Sequence, residues 1–214
     1  MTKVIVAGAA GRMGRRISYM VHQQEGLTLA GGFERADGPE LGKDLGELAG
    51  MGTLGVQVAD SFESVKDQGE VVIDFTFHEA TMALARKAAQ AKKAMVIGTT
   101  GLSQDNLAEL AELSRNFPCV QSPNMAVGVN VLFKIARKMA ALLGDDYDIE
   151  IVEAHHRMKK DAPSGTALKL GEMVAEGVHR NLAEVGVYCR NGIIGERGEK
   201  RDRHPDHPGR RYRG

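Results

Sequence analysis

Between Glu153 and Thr166 the chain reads EAHHRMKKDAPSGT. This places two adjacent histidines, His155 and His156, beside three cations, Arg157, Lys159 and Lys160, and ahead of a Pro163-Ser164-Gly165-Thr166 turn that opens a helical pattern. An imidazole changes charge near neutral pH, so it can trade protons with a reacting group held beside it. The first turn of a helix exposes unpaired backbone N–H groups and a partial positive charge, which together hold a carboxylate or phosphate. With Lys159 and Lys160 added, the place suits a small polyanion. The same residues also fit a solvated loop in which Ser164 or Thr166 only caps a helix. A partner elsewhere in the chain has to decide.

That partner is at the other end of the sequence. Lys3 to Ala7 is a β-branched run, as in a buried parallel strand. It leads into Gly8-Ala9-Ala10-Gly11-Arg12-Met13-Gly14 and a helical stretch to about Gln24. Strand, glycine turn and helix form the setting of a dinucleotide site, where glycines allow a tight turn and a close approach of backbone to pyrophosphate. The spacing Gly-x-x-Gly-x-x-Gly is one residue longer than the common fingerprint. A second strand, Leu27 to Phe33, ends at Glu34, 20 residues past Gly14. An acid at that offset accepts hydrogen bonds from ribose hydroxyls, and Arg35 beside it can face a 2′-phosphate. The pair suggests use of both NADH and NADPH; a plain surface ion pair is the alternative.

The elements between these sites repeat one pattern. Val56 to Ala59 reads as a short strand, and Ser61 to Gln68 as a helix capped by Ser61. Glu70 to Phe75 is a strand, followed by a helix from Thr81 to Ala91. Ala94 to Ile97 ends at Gly98-Thr99-Thr100 and precedes a helix from Gln104 to Asn116. Cys119 to Gln121 ends at Ser122-Pro123-Asn124-Met125. Strands alternating with helices at this spacing imply an α/β fold, a Rossmann-like doubly wound parallel sheet, whose ligands bind beyond the carboxyl ends of the strands. Gly98 and Thr99 would approach the cofactor by backbone and Thr100 by its hydroxyl. The first unit is expected to span 1–127.

A second, smaller mixed α/β unit is expected over 128–195. It opens with a helix from Gly128 to Leu143, with Val131, Leu132, Ile135, Met139 and Leu142 on one face as core. A strand from Tyr147 to Ala154 follows, then the histidine stretch, a helix from Thr166 to Glu176, a polar turn and a strand from Val185 to Cys189. Formal net charge is zero, which gives no global pull toward nucleic acid or membrane. The two cysteines, Cys119 and Cys189, have no spacing that suggests a disulfide framework or zinc site. No apolar run approaches ~20 residues, and the chain starts directly on a strand-like segment, so a cytoplasmic protein without a signal peptide is expected.

The segments GAAGRMGR, FER, IDFT, VIGTTG, GVNV, DIEIVEAHH, KKDAPSGTAL and GERG together resemble the dihydrodipicolinate reductase family, over residues 3 to about 199. The resemblance implies a Rossmann-like cofactor domain, a mixed α/β substrate domain and assembly as a homotetramer. It implies reduction of a cyclic dicarboxylate, 4-hydroxy-tetrahydrodipicolinate, to tetrahydrodipicolinate with NADH or NADPH, in lysine and diaminopimelate biosynthesis. By motif, His155 is similar to the family's acid/base residue and Lys159 to its proton donor. His156, Gly165 and Thr166 match substrate positions. Gly8, Ala9, Ala10, Gly11, Arg12, Met13, Glu34, Arg35, Gly98, Thr99, Thr100, Ser122, Pro123, Asn124 and Met125 match cofactor positions. The alternatives are another Rossmann dehydrogenase of amino or hydroxy acids, or a cofactor-binding remnant without catalysis.

Residues 196–214 break the pattern: they hold no Val, Ile, Leu, Met, Phe or Ala. A disordered basic tail is one reading. A frameshift is the other, because RDRHPDHPGRRYRG, suitably back-translated and read from the second base, yields the strand-like EIGIQTIRAGDIVG. On that reading the second unit is incomplete, and the 214-residue chain is expected to be poorly stable and weakly active.

Overall fold

Six short parallel strands in the order β3-β2-β1-β4-β5-β6 make the sheet on which the candidate cofactor site is built. They are β1 (Thr2–Ala7), β2 (Leu27–Phe33), β3 (Val58–Ala59), β4 (Val71–Asp74), β5 (Ala94–Ile97) and β6 (Cys119–Gln121). The computed structural model describes residues 1–159 and 162–188. Strand β1 pairs with β2 on one side and β4 on the other, so the winding direction reverses at its carboxyl end. A crevice opens where successive crossovers diverge, which is where doubly wound sheets take their ligands. Alternation along β1 builds a core on both faces: Ile5 and Ala7 join a cluster with Val72, Met95 and Ile97, while Val4 and Val6 join Val21, Leu29 and Val58. The structure bears out the Rossmann-like doubly wound expectation.

Local chemistry accounts for the helices. Helix α1 (Arg12–Gln23) starts from Gly11, and α2 (Leu45–Leu48) from Asp44, whose carboxylate accepts the Gly46 and Glu47 N–H groups. Helix α3 (His78–Ala91) buries Met82, Ala85 and Ala88, one face at helical spacing. Helix α4 (Gln104–Leu113) has a reciprocal capping box between Ser103 and Asn106. The helix expected over Ser61–Gln68 is reduced to a single 3₁₀ turn at Lys66–Gln68. There the Ser61 hydroxyl is engaged by Asp60 instead of capping a helix.

Helices α5 (Val127–Leu143), α6 (Gly165–Gly177) and α7 (Leu182–Val185) follow the sheet. The stripe expected as core on α5 is the face that stands exposed, from 48% at Val131 to 78% at Leu142. The buried side is Phe133, Ala136 and Ala140. Small residues there let α6 come close: a Cβ on Gly177 would lie 2.4 Å from the Arg137 carbonyl oxygen. The strand expected from Tyr147 to Ala154 is not a strand among the described residues and lies outside the six-stranded sheet. A strand is defined by its ladder, and the neighbour expected from Val185 onward does not supply one: Val185 closes α7 instead, and Cys189 lies outside the described residues. Lys160 and the tail, 196–214, also lie outside them. No helix among the described residues is long and apolar enough to cross a membrane.

Candidate active site

The glycine turn after β1 is shaped by close packing. Gly8 has φ +62, and its carbonyl accepts the Gly11 N–H at 3.0 Å. Gly14 is pressed against this turn: a Cβ there would stand 2.0 Å from the Gly8 carbonyl oxygen. Helix α1 has no side-chain cap at Gly11 and no acid in its first turn. Its leading N–H groups therefore offer an anion site, and a backbone without side chains at Gly8 and Gly11 lets a pyrophosphate approach. Ala9 and Ala10 are buried beneath the turn, while Arg12 and Met13 stand at its exposed rim. These residues fit a dinucleotide.

Glu34 closes the turn from the side. Its Oε1 accepts the Ala10 N–H at 3.0 Å, which holds the carboxylate at the end of β2 with Oε2 available for a ribose hydroxyl. Arg35 extends outward and pairs with Asp37 at 3.1 Å, both side chains being exposed.

The turns after β4, β5 and β6 meet the same crevice. Asp74 is fully buried at the end of β4, and its Oδ1 accepts both the N–H and the hydroxyl of Thr76. That clamp sets the Phe75-Thr76 turn against two glycines. A Cβ on Gly98 would fall 2.1 Å from the Phe75 ring, and one on Gly8 would fall 2.8 Å from the Thr76 methyl. Phe75 and Thr76 belong to the IDFT segment of the family resemblance but carry no individual role there; the structure sets them between the Gly98 and Gly8 turns. The Thr99 side chain turns inward and receives the Thr81 hydroxyl at 2.9 Å, whereas Thr100 is exposed. Ser122 donates its hydroxyl to the Asn124 carbonyl, and Asn130 on α5 donates to the same carbonyl at 2.9 Å.

The histidine stretch meets these turns through α6. The Asn124 side-chain amide donates to Thr166 Oγ1 at 3.1 Å, and a Cβ on Gly165 would touch Pro123 at 3.9 Å. The hydroxyl of Ser164 caps α6 by accepting the Ala167 N–H. Glu153, present in the sequence motif without a role, spans the gap: its Oε1 accepts the Ser164 N–H at 2.8 Å and its Oε2 meets His155 Nε2 at 2.9 Å. Among the described residues no hydrogen-bond acceptor meets the Gly165 and Thr166 N–H groups at the helix start, which leaves them for a carboxylate. His156 Nδ1 accepts the Met158 N–H at 3.1 Å, so in the neutral ring Nε2 carries the proton and is a donor. Lys159 follows within the same turn, its N–H bonded to the His156 carbonyl.

The Ser164 hydroxyl, the His155 ring and the Ser164 N–H together lower the Glu153 carboxyl from its ordinary 4.5 to about 2. A depressed carboxyl pKa stabilises the fold above the ordinary value, and that contribution is lost as pH falls through the folded one. We therefore expect the Glu153 carboxyl carbon, followed by NMR, to titrate near the lower figure. A midpoint at the ordinary value would mean that neither Ser164 nor His155 holds it.

The family description "Dihydrodipicolinate reductase, N-terminus" matches residues 2–125 and "Dihydrodipicolinate reductase, C-terminus" matches 128–207. The chain belongs to the dihydrodipicolinate reductase family. A curated relative from Desulfotalea psychrophila, a 4-hydroxy-tetrahydrodipicolinate reductase, is 66% identical over 200 residues, which are 94% of this chain and 74% of the relative. One of the same name from Anaeromyxobacter dehalogenans is 52% identical over 92% of the chain and 73% of the relative. The solved dipicolinate-bound dihydrodipicolinate reductase of Paenisporosarcina sp. TG-14 aligns with TM-score 0.63 at 27% identity, covering 92% of this chain and 72% of that one. Dihydrodipicolinate reductases are oxidoreductases that use NADH or NADPH, and the cofactor part of the family is present here over its matched length.

Proposed function

We propose that this reductase converts 4-hydroxy-tetrahydrodipicolinate to tetrahydrodipicolinate across the cleft between the β-strand turns and the start of α6. The cofactor unit is 1–127 and the substrate unit begins at 128. The glycine turn from Gly8 to Met13 would hold the pyrophosphate of a dinucleotide, whose nicotinamide would supply a hydride. His155 trades the proton that the reduced, water-losing substrate requires, and Lys159 donates one. His156 Nε2–H and the N–H groups of Gly165 and Thr166 receive substrate carboxylate, while Glu34 and Arg35 hold the adenosine ribose. The observation that supports this reading is the Asn124–Thr166 hydrogen bond, which ties a cofactor turn to the helix end that Glu153 links to His155. The family resemblance supports a homotetramer, and the zero net charge and lack of a long apolar run support a cytoplasmic protein without nucleic-acid or membrane partners.

The purified chain should oxidise NADH only when the cyclic dicarboxylate is supplied, and should leave other amino and hydroxy acids untouched. Oxidation with those acids in place of the dicarboxylate would favour a different Rossmann dehydrogenase.

The Arg35–Asp37 pair predicts cofactor preference. A 2′-phosphate has to draw Arg35 from a carboxylate and accept the negative charge of Asp37 nearby. Asp37→Asn should therefore tighten NADPH binding by about 3- to 10-fold at low salt, with NADH affinity unchanged. Nucleotide fluorescence titrations measure both; equal gains for the two cofactors would remove Asp37 from the explanation.

A further inference from the structure

His155 Nε2 stands 2.9 Å from the Glu153 carboxylate, and the other oxygen of that carboxylate takes the Ser164 N–H at 2.8 Å. An ionised carboxylate only accepts hydrogen bonds, so the ring nitrogen facing it must carry a proton. The other nitrogen, Nδ1, is then the one able to take up or release a proton. A backbone N–H can only donate, so Glu153 Oε1 is committed to Ser164 and Oε2 to the ring. One side chain thereby fixes the imidazole tautomer and anchors it to the first turn of α6, where the substrate carboxylate is expected.

We infer that Glu153 is a positioning residue that keeps His155 in the Nε2–H form, so that Nδ1 is the atom through which the proton passes. The inference rests on the reading of His155 as the proton-trading residue. It is stated for the neutral ring; when His155 is protonated, the Glu153 contact becomes an ion pair and Nδ1–H is the acid. Among the described residues Glu153 is the acid within ion-pair distance of this ring, and His156 and Lys159 are its neighbours on the same segment.

Glu153→Gln tests the inference with little change of shape. The amide oxygen must still accept from Ser164, which turns the amide nitrogen toward His155 as a donor. The ring must then accept at Nε2 and move its proton to Nδ1. In the ¹⁵N spectrum of the histidine rings, His155 should show the Nε2–H pattern in the parent chain and the Nδ1–H pattern in Glu153→Gln. The kcat should fall by about 10- to 100-fold, the usual effect of losing an orienting partner, with KM and NADH affinity held. Should the amide variant fail to fold, Glu153→Ala gives a second reading: with no carboxylate facing Nε2, the His155 ring should no longer be held in the Nε2–H form and its ¹⁵N spectrum should show a mixture of the two tautomers.

An unchanged tautomer in Glu153→Gln, or an unchanged Nε2–H pattern in Glu153→Ala, overturns the inference. So does full turnover in Glu153→Gln when His155→Ala is inactive, and in that case the reading of His155 stands. Full turnover in His155→Ala removes that reading and this inference with it.

Discussion

His155→Ala is expected to lower kcat by about 10²- to 10⁴-fold, the range typical of a positioned acid or base, while NADH affinity stays unchanged. The separation follows from where the residue sits. His155 is attached through Glu153 to the start of α6, and the glycine turn and Glu34 belong to the sheet. Removing the ring takes away a proton carrier without touching the groups proposed to hold the cofactor. Lys159→Ala should fall in the same range. The double variant should fall by less than the product of the two, because residues that act on one transition state are not additive. Steady-state kinetics beside a fluorescence titration of NADH distinguish the outcomes. A loss confined to KM would make these residues substrate holders instead of proton carriers.

The second large effect is expected at Gly14. An alanine there places its Cβ 2.0 Å from the Gly8 carbonyl oxygen and 2.6 Å from Ala9 Cα. Both obstacles are backbone, so no side-chain rotation relieves them, and α1 has to back away from the turn. Overpacking of this kind costs about 1–3 kcal/mol or more. For a chain of this size that corresponds to a fall in Tm of about 2–4 °C per kcal/mol. Cofactor affinity should drop on the order of tenfold or more, since the N–H groups of the first turn move with the helix. Gly26→Ala is the control. Its φ of +86 makes alanine strained, but nothing lies within 4 Å of the added Cβ. It should lose stability and keep NADH binding. Equal loss of binding in both variants would show that the Gly14 contact has no special part in the cofactor turn.

The two predictions draw on different kinds of legibility. Gly14 was readable as a fingerprint glycine, because strand, turn and helix are neighbours in the chain and their geometry is local. The ends of β2, β5 and β6 were likewise readable, since β-branched runs bounded by Gly, Pro and Asn mark strands directly. Helix α5 was misread for a physical reason. It is apolar on two sides, and periodicity reports a stripe without saying which neighbour covers it. The larger side chains, Val131 to Leu142, drew the core assignment, yet Phe133, Ala136 and Ala140 are the buried side, and the small Ala140 lets Gly177 of α6 come close.

What the sequence determined by itself was the order of the six sheet strands, the two turns proposed to bear the chemistry and the family. These depend on residues adjacent in the chain, where propensity, capping and alternation act. Only the tertiary structure decided which groups meet: Glu153 with Ser164, Asn124 with Thr166, and Phe75 with Gly98. Such contacts form when separate elements dock, and a short polar side chain carries no local mark of the distant atom it will find.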